Sequence, residues 1–207
     1  MKKLFITVLA VITFAQLTNA QLKAGIVAGG NFYNQRVNAT QGNIYGSERF
    51  KSYHAGVVAD LELGKGFYLE PQLLFARKGA TLLNVQDGQN VKVRMSYLEL
   101  PVSLVYKHDV SFGKLTVGAG AGYGYLLGGK EEQAGKTTKL FSGDATNWNR
   151  NEFSYHFSAG VEFNNGLFLN ISSQKSINDI NKTSELNIKN RSMAISVGYM
   201  INWNRKG

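Results

Sequence analysis

The stretch Phe153-Ser154-Tyr155-His156-Phe157-Ser158-Ala159-Gly160-Val161-Glu162-Phe163 carries the pattern that decides the fold. Every odd-numbered residue in it is apolar or aromatic, and every even-numbered residue is small, polar or charged. Successive side chains of a strand point to opposite faces, so this alternation predicts a strand with one apolar face. A strand of about ten residues with so uniform an apolar face, and no helix pattern to cover it, is typical of a barrel whose outside contacts lipid.

The composition and the first residues predict one exported β domain. The chain has 207 residues, with 23 glycines, 10 tyrosines and 12 phenylalanines but only 2 prolines, which favours strands over helices. Residues 1–20 have the cationic start, apolar core and small-residue end of a signal peptide, with cleavage expected after Ala20. No later segment approaches the ~18 uninterrupted apolar residues of a spanning helix. Residues 21–207 are therefore predicted to form the outer-membrane β-barrel domain.

The cysteine content and the net charge indicate where the protein is located and which partners it meets. The chain has no cysteine, which excludes disulfides, thiolate metal sites and a lipid-modified N-terminal cysteine, and fits a bacterial envelope protein. Removal of Lys2 and Lys3 lowers the formal net charge from +9 to about +7. An exported chain seldom meets nucleic acid, so outer-membrane lipid headgroups and lipopolysaccharide phosphates are the expected counter-charges. No pattern in the sequence calls for a cofactor.

The alternating segments predict an all-β fold, an eight-stranded antiparallel up-and-down transmembrane β-barrel. The eight predicted strands lie near residues 22–33, 50–63, 67–78, 91–106, 113–127, 152–163, 167–175 and 190–202. Tight turns are predicted at 63–66, 107–110 and 164–166. Long polar loops are predicted near 34–49, 79–90, 128–151 and 176–189. This alternation of short and long connections favours short periplasmic turns and long outer loops in an outer membrane. Pro71, which lacks a ladder donor, predicts a bulge or local kink.

Strand parity predicts a charged barrel interior. The polar residues assigned to the lumen are His54, Asp60, Glu62, Glu70, Gln72, Lys78, Glu99, His156 and Glu162. Lys23 and Lys114 are the candidate cations near the periplasmic carboxylates. A structural network of ion pairs and water is the first interpretation, because an unpaired buried charge is costly. A path for protons, cations or small solutes is a second, and a metal site formed by His54, His156 and a carboxylate is a third, although no close ligand spacing supports a metal.

The outer rim and loops are the candidate working surface. Basic residues near the rim are candidates for contacts with lipid phosphates: Lys51, Arg77, Lys92, Arg94, Lys175, Lys189 and Arg191. The loop predicted at 128–151 mixes charges with Trp148 and is interpreted either as a solvated shield or as a binding surface for lipopolysaccharide or a protein. No serine lies in a strained strand-to-helix elbow, so no catalytic residue is assigned and an enzyme is not expected.

Three segments carry a resemblance to a known family: residues 68–79 (YLEPQLLFARKG), 97–102 (YLELPV) and 190–199 (NRSMAISVGY). With eight predicted strands, the chain resembles the PorT-like outer-membrane β-barrel family over essentially its whole mature length. The resemblance implies an exported barrel and a possible envelope or secretion protein partner. Unlike many such barrels, which end on an aromatic residue, this chain continues from Trp203 to Gly207.

Three functional hypotheses follow from the sequence. The first is a non-enzymatic barrel with a structural or interaction role, in line with the secretion or surface-assembly role that the resemblance implies. The second is a narrow porin-like conduit for small solutes. The third is a soluble periplasmic barrel that binds an apolar ligand, in which the apolar residues would face inward.

Overall fold

A computed structural model describes residues 22–39, 45–48, 50–84, 90–133, 135–140, 149–178 and 186–201. The predicted signal peptide lies outside these residues. Within them, no helix is long and apolar enough to span a membrane.

The described residues form ten antiparallel strands. Their bounds are β1 Leu22–Ala39, β2 Tyr45–Glu48, β3 Phe50–Gly64, β4 Phe67–Asn84, β5 Asn90–Val110, β6 Gly113–Gln133, β7 Lys136–Lys139, β8 Asn151–Phe163, β9 Leu167–Ser176 and β10 Leu186–Ile201.

Eight of these strands close into a barrel. Their order around the wall is β4, β3, β1, β10, β9, β8, β6 and β5, and pairing between β5 and β4 closes the ring. Every pair is antiparallel, which confirms the predicted fold class. In outer-membrane barrels the tight turns face the periplasm, so we call the end with the tight turns the periplasmic end and the opposite end the outer end.

The outer connections contain more strand than the sequence predicts. β4, β5 and β6 continue into the segments predicted as loops near 79–90 and 128–151, β1 continues to Ala39, and β2 and β7 pair with β4 and β6. Strands beyond the membrane need no apolar face, so ladder pairing persists there after the apolar alternation has stopped. The remaining parts of the predicted outer loops, 40–44, 85–89, 141–148 and 179–185, lie outside the described residues.

The tight turns predicted at 63–66 and 164–166 are correct. The first uses Gly64, Lys65 and Gly66, which all have positive φ, and glycine adopts that conformation without steric cost. The turn predicted at 107–110 is wrong, because β5 runs to Val110 and the turn is at Ser111 and Phe112. Of the bulge or local kink predicted at Pro71, the bulge is wrong, since the β4–β5 register is the same on both sides of that residue. The β3–β4 ladder has a register shift at Glu62/Gly64, and the β5–β6 ladder has one at Ser96/Tyr97.

The apolar side chains face outward. Ile26, Val57, Phe157, Ile171 and Ile195, from five strands, are all more than half exposed. Buried polar residues occupy the alternate positions, as at Ser154 and His156. The inward apolar face required by the soluble-barrel hypothesis is therefore wrong for the described strands, and the outward face suits lipid.

Candidate functional site: the charged lumen and the basic outer rim

A lysine binds two carboxylates near the outer end of the lumen. Lys78 Nζ, from β4, lies 2.6 Å from Glu99 Oε1 of β5 and 2.9 Å from Glu152 Oε2 of β8. The same ammonium lies 4.6 Å from the ring centroid of Tyr97, a distance at which a cation is attracted to an aromatic face. Ser176 Oγ donates to Glu152, which also accepts from Asn190 Nδ2 at 3.2 Å. We call this group the outer lysine cluster; it links β4, β5, β8, β9 and β10 across the lumen.

A second lysine repeats the arrangement near the periplasmic end. Lys107 Nζ, from β5, donates to Asp60 Oδ2 of β3 and to Glu162 Oε2 of β8, the latter at 2.7 Å. Its ammonium lies 4.8 Å from the ring centroid of Tyr68. Lys23 Nζ lies 3.5 Å from the other oxygen of Glu162. We call this group the periplasmic lysine cluster. Paired charges of this kind offset the desolvation cost that each would otherwise bear.

Two buried histidines lie between the clusters, each opposite a glycine. His54 Nδ1 bonds to Asn31 Oδ1 at 2.9 Å and Nε2 to Ser196 Oγ at 3.0 Å. An amide oxygen only accepts, so Nδ1 of His54 carries the proton in this contact. His54 pairs in register with Gly29.

The second histidine has one described ring contact. His156 Nε2 bonds to Ser103 Oγ at 2.7 Å, and His156 pairs in register with Gly120. A Cβ at Gly120 would lie 2.8 Å from the His156 ring, so the glycine provides the room for the imidazole. The glycine-rich face of β6 thus fits a narrow interior filled from the opposite strands.

A central chamber of about 90 Å³ separates the two clusters. Its wall includes six predicted lumen residues: His54, Glu70, Gln72, Glu99, His156 and Glu162. Gln72 Nε2 donates to Glu70 Oε1 at 2.8 Å, and Gln174 Nε2 donates to Ser154 Oγ at 2.9 Å. A chamber of this size and polarity accommodates several water molecules.

The structure brings together some of the predicted lumen residues and separates others. Lys78 contacts Glu99 directly, whereas Asp60 and Glu162 are bridged by Lys107, which was not predicted. Glu62 is half-buried on β3 and outside the chamber wall. Of the candidate cations, Lys23 joins the periplasmic cluster. Lys114 instead donates to Asp109, at 2.6 Å.

The Lys114–Asp109 pair lies at the periplasmic mouth, beyond the apolar band. The Lys114 ammonium lowers the pKa of the exposed Asp109 carboxyl through their hydrogen bond. His108, predicted in a turn, is an exposed residue of β5.

Sequence reasoning missed six members of the clusters: Tyr68, Tyr97, Lys107, Glu152, Ser176 and Asn190. Tyr97 and Glu152 lie inside predicted strands with the parity of Glu99 and His156, so applying the period-two rule to every residue would have found them. Lys107 has the same parity as Glu99 but lies one residue beyond the predicted strand end. The misplaced turn therefore hid it.

The basic residues predicted at the outer rim point away from the lumen. Exposed side chains are found at Lys51, Arg77, Lys92, Arg94, Lys175 and Arg191. Lys189 lies on β10, and its side chain is outside the described part. Arg77 lies 5.9 Å from the ring centroid of Tyr53, which joins a rim cation to an aromatic residue of the outer belt.

Comparisons with known proteins give the family. A sequence profile described as "Outer membrane protein beta-barrel domain" matches residues 14–182. No curated protein matches the chain significantly.

Several solved structures are similar to the chain. Ail, the attachment invasion locus protein of Yersinia pestis, has 16% identity over 87% of this chain and 99% of its own, with a TM-score of 0.45. Neisserial surface protein A has 12% identity over 85% and 96%, with a TM-score of 0.47. OprG of Pseudomonas aeruginosa has 11% identity over 87% and 94%, with a TM-score of 0.47. The profile match spans most of the sequence, so the chain belongs to the outer membrane protein β-barrel domain family.

Proposed function

We propose that this protein is a non-enzymatic, non-conducting barrel of the bacterial outer membrane that binds anionic lipid phosphates, including those of lipopolysaccharide, at its outer rim. Residues 1–20 act as its signal peptide, removed after Ala20. Intact-mass measurement of the protein purified from outer membranes tests the cleavage, with Gln21 as the expected first residue.

One observation carries the binding proposal: three exposed basic residues lie side by side on three strands. Arg94 of β5 pairs in register with Lys130 of β6, and Lys130 pairs with Lys139 of β7. Like charges directly opposite each other destabilise a sheet. A bound anion removes that repulsion, and Arg and Lys both bind phosphate oxygens. We call these three residues the basic row.

The height of the basic row suits a lipid headgroup. Leu98, on the apolar face of β5, pairs with Tyr125. Arg94 lies four residues further toward the outer end, about 13 Å along the strand. Glu132 Oε1 lies 3.5 Å from Arg94 Nη1, but both side chains are well exposed, and exposed pairs contribute little. On the far side of the barrel Lys175 pairs in register with Arg191, giving a second pair of adjacent cations.

The lumen supports the non-conducting part of the proposal. The outer lysine cluster and the periplasmic lysine cluster both cross the interior, and Lys78, Asp60 and Lys107 are almost completely buried. An eight-stranded barrel has room mainly for its own side chains. The narrow conduit hypothesis would require both clusters to open.

The binding proposal is tested with charge-matched variants. The protein in detergent micelles is titrated with fluorescent lipid A, and binding is followed by anisotropy. One variant is Lys130→Gln/Lys139→Gln; its control is Lys65→Gln/Lys114→Gln, which removes two lysines at the periplasmic end, Lys65 exposed and Lys114 half-buried. Each basic residue near a lipid surface contributes about 1 kcal/mol, so the rim variant, which lacks two of them, should bind roughly thirtyfold more weakly while the control is unchanged. Equal binding by both variants would contradict the proposal.

A finer proposal is that the barrel serves a secretion or surface-assembly system through an envelope protein partner. The resemblance of residues 68–79, 97–102 and 190–199 to the PorT-like family supports it. Deletion of the gene should then reduce the amount of secreted or surface-displayed protein, with restoration by the wild-type gene. An unchanged set of secreted and surface proteins would count against this role and leave the lipid-binding proposal intact.

A further inference from the structure

The lumen around the central chamber holds more carboxyl groups than lysines. From the outer lysine cluster to the periplasmic lysine cluster, the described lumen side chains include five carboxylates and three lysines. The carboxylates are Asp60, Glu70, Glu99, Glu152 and Glu162, and the lysines are Lys23, Lys78 and Lys107. Every one of these lysines is engaged by a cluster carboxylate.

Glu70 is the carboxylate left over. It lines the chamber, and its described hydrogen bond comes from the neutral amide of Gln72. No ion pair to Glu70 occurs within the described part of the chain. An isolated carboxylate away from bulk water is costly unless a cation or several donors approach it or the group takes up a proton.

Two buried polar atoms of the same wall have no partner among the residues that the structure describes. Asn31 Nδ2 and His156 Nδ1 make no hydrogen bond within the described residues, although the two residues are only 5% and 7% exposed. The other polar atoms of these side chains are engaged by His54 and Ser103. Buried polar groups in folded proteins are nearly always bonded, so the two atoms mark places where a guest or its water is held.

We propose that the chamber binds one small monovalent cation together with water. Glu70 supplies the counter-charge, His156 Nδ1 bonds to the guest or its water, and Asn31 Nδ2 donates to a water oxygen. A volume of about 90 Å³ admits an ammonium or alkali ion with a few waters. No group of three or more His, Asp or Glu side chains suited to a metal ion occurs among the described residues, which argues against a divalent metal site.

The periplasmic end is the entry. There the side chain of Lys23 is 22% exposed and lies 3.5 Å from Glu162, whereas the side chain of Lys78 in the outer cluster is 2% exposed. Movement of the Lys23 and Lys107 side chains would open this end with less disruption than opening the outer one. This inference is independent of the rim proposal.

The test uses the histidines as reporters. The full mature barrel with isotope-labelled histidine is titrated by NMR with ammonium chloride or potassium chloride, and choline chloride keeps ionic strength constant. His54 and His156 should shift with saturation, while the exposed His108 should not. Choline alone, being too large for the chamber, should shift none of them. Absence of a saturable shift with both cations in the wild-type protein would overturn the proposal.

A pair of variants assigns the site. Glu70→Gln should abolish the saturable shift, and Glu62→Gln, which removes a lumen-side carboxylate outside the chamber wall, should retain it. Migration of unboiled and boiled samples on a gel shows that each variant is folded. Retention of the shift by folded Glu70→Gln would refute the assignment. The wild-type titration decides the proposal even if that variant does not fold.

Discussion

Lys78 Nζ lies 2.6 Å from Glu99 Oε1, and both side chains are more than nine-tenths buried inside the barrel. Glu152, from the opposite wall, completes the cluster at 2.9 Å. Glu99 lies on β5, the neighbour of β4, whereas the Lys78–Glu152 contact joins β4 to β8, which are not neighbours in the wall. The cluster therefore ties separate parts of the wall together in addition to closing the interior.

Removal of Lys78 should strongly destabilise the barrel. Lys78→Met leaves Glu99 and Glu152 buried without their cation, and breaking a buried pair in this way costs about 3–5 kcal/mol. The free energy of unfolding is measured by urea titration in lipid vesicles. The control is Lys114→Met, which removes a lysine whose partner Asp109 is exposed, and its unfolding midpoint should stay at the wild-type value.

Neutralising the whole outer cluster should cost less than removing its lysine. The variant Lys78→Met/Glu99→Gln/Glu152→Gln leaves no uncompensated charge, and replacing a buried ionic group completely is often close to neutral. We expect it to regain most of the stability lost by Lys78→Met in the same titration. A triple variant as unstable as the single one would show that the lysine acts through packing and not through its charge.

Adding a side-chain carbon should destabilise the barrel at Gly120 but not at Gly128. A Cβ at Gly120 would meet the Val102 carbonyl oxygen and the His156 ring, whereas a Cβ at Gly128 would have no heavy atom of the described residues within 4 Å. Gly120→Ala should therefore lose about 1–3 kcal/mol of unfolding free energy through overpacking. Gly128→Ala, on the same strand, is the matched control. Equal stability of the two variants would contradict the description of the lumen.

Ion conductance should be absent. Because the outer and periplasmic lysine clusters both cross the lumen, the purified wild-type protein should produce no reproducible steps in planar lipid bilayers. A porin from the same preparation procedure serves as the positive control. Regular unitary steps from this protein would favour the conduit hypothesis.

The sequence predicts the barrel well because lipid imposes a simple rule on it. Each spanning strand must present an apolar side chain at every second position, and this rule identifies the outward faces, the eight barrel strands and the interior positions of Lys78 and Glu99. The rule weakens where lipid ends. For that reason the outer extensions of β4, β5 and β6, the short strand β7 and the lumen position of Lys107 were not predicted.

Contacts between residues on opposite sides of the barrel could not be predicted from the alternation of side chains. Glu152 and Lys78 are far apart in the chain and lie on strands that are not neighbours, so neither parity nor local spacing links them. The same holds for the basic row, since Arg94, Lys130 and Lys139 become adjacent only through the register of three strands. That register depends on an irregularity at Ser96/Tyr97, which has no clear signal in the sequence.

The most direct test of the central claim is a distance measurement between the rim and lipid phosphate. Solid-state NMR of the ¹⁵N-arginine-labelled barrel in lipopolysaccharide-containing vesicles reports dipolar contacts between guanidinium nitrogens and lipid phosphorus. We predict a contact for the wild-type protein that weakens in Arg94→Gln, while Arg191→Gln, a change on the far side of the barrel, leaves the Arg94 contact in place. A spectrum with no arginine–phosphorus contact, or one unchanged by Arg94→Gln, would contradict lipid phosphate binding by the basic row.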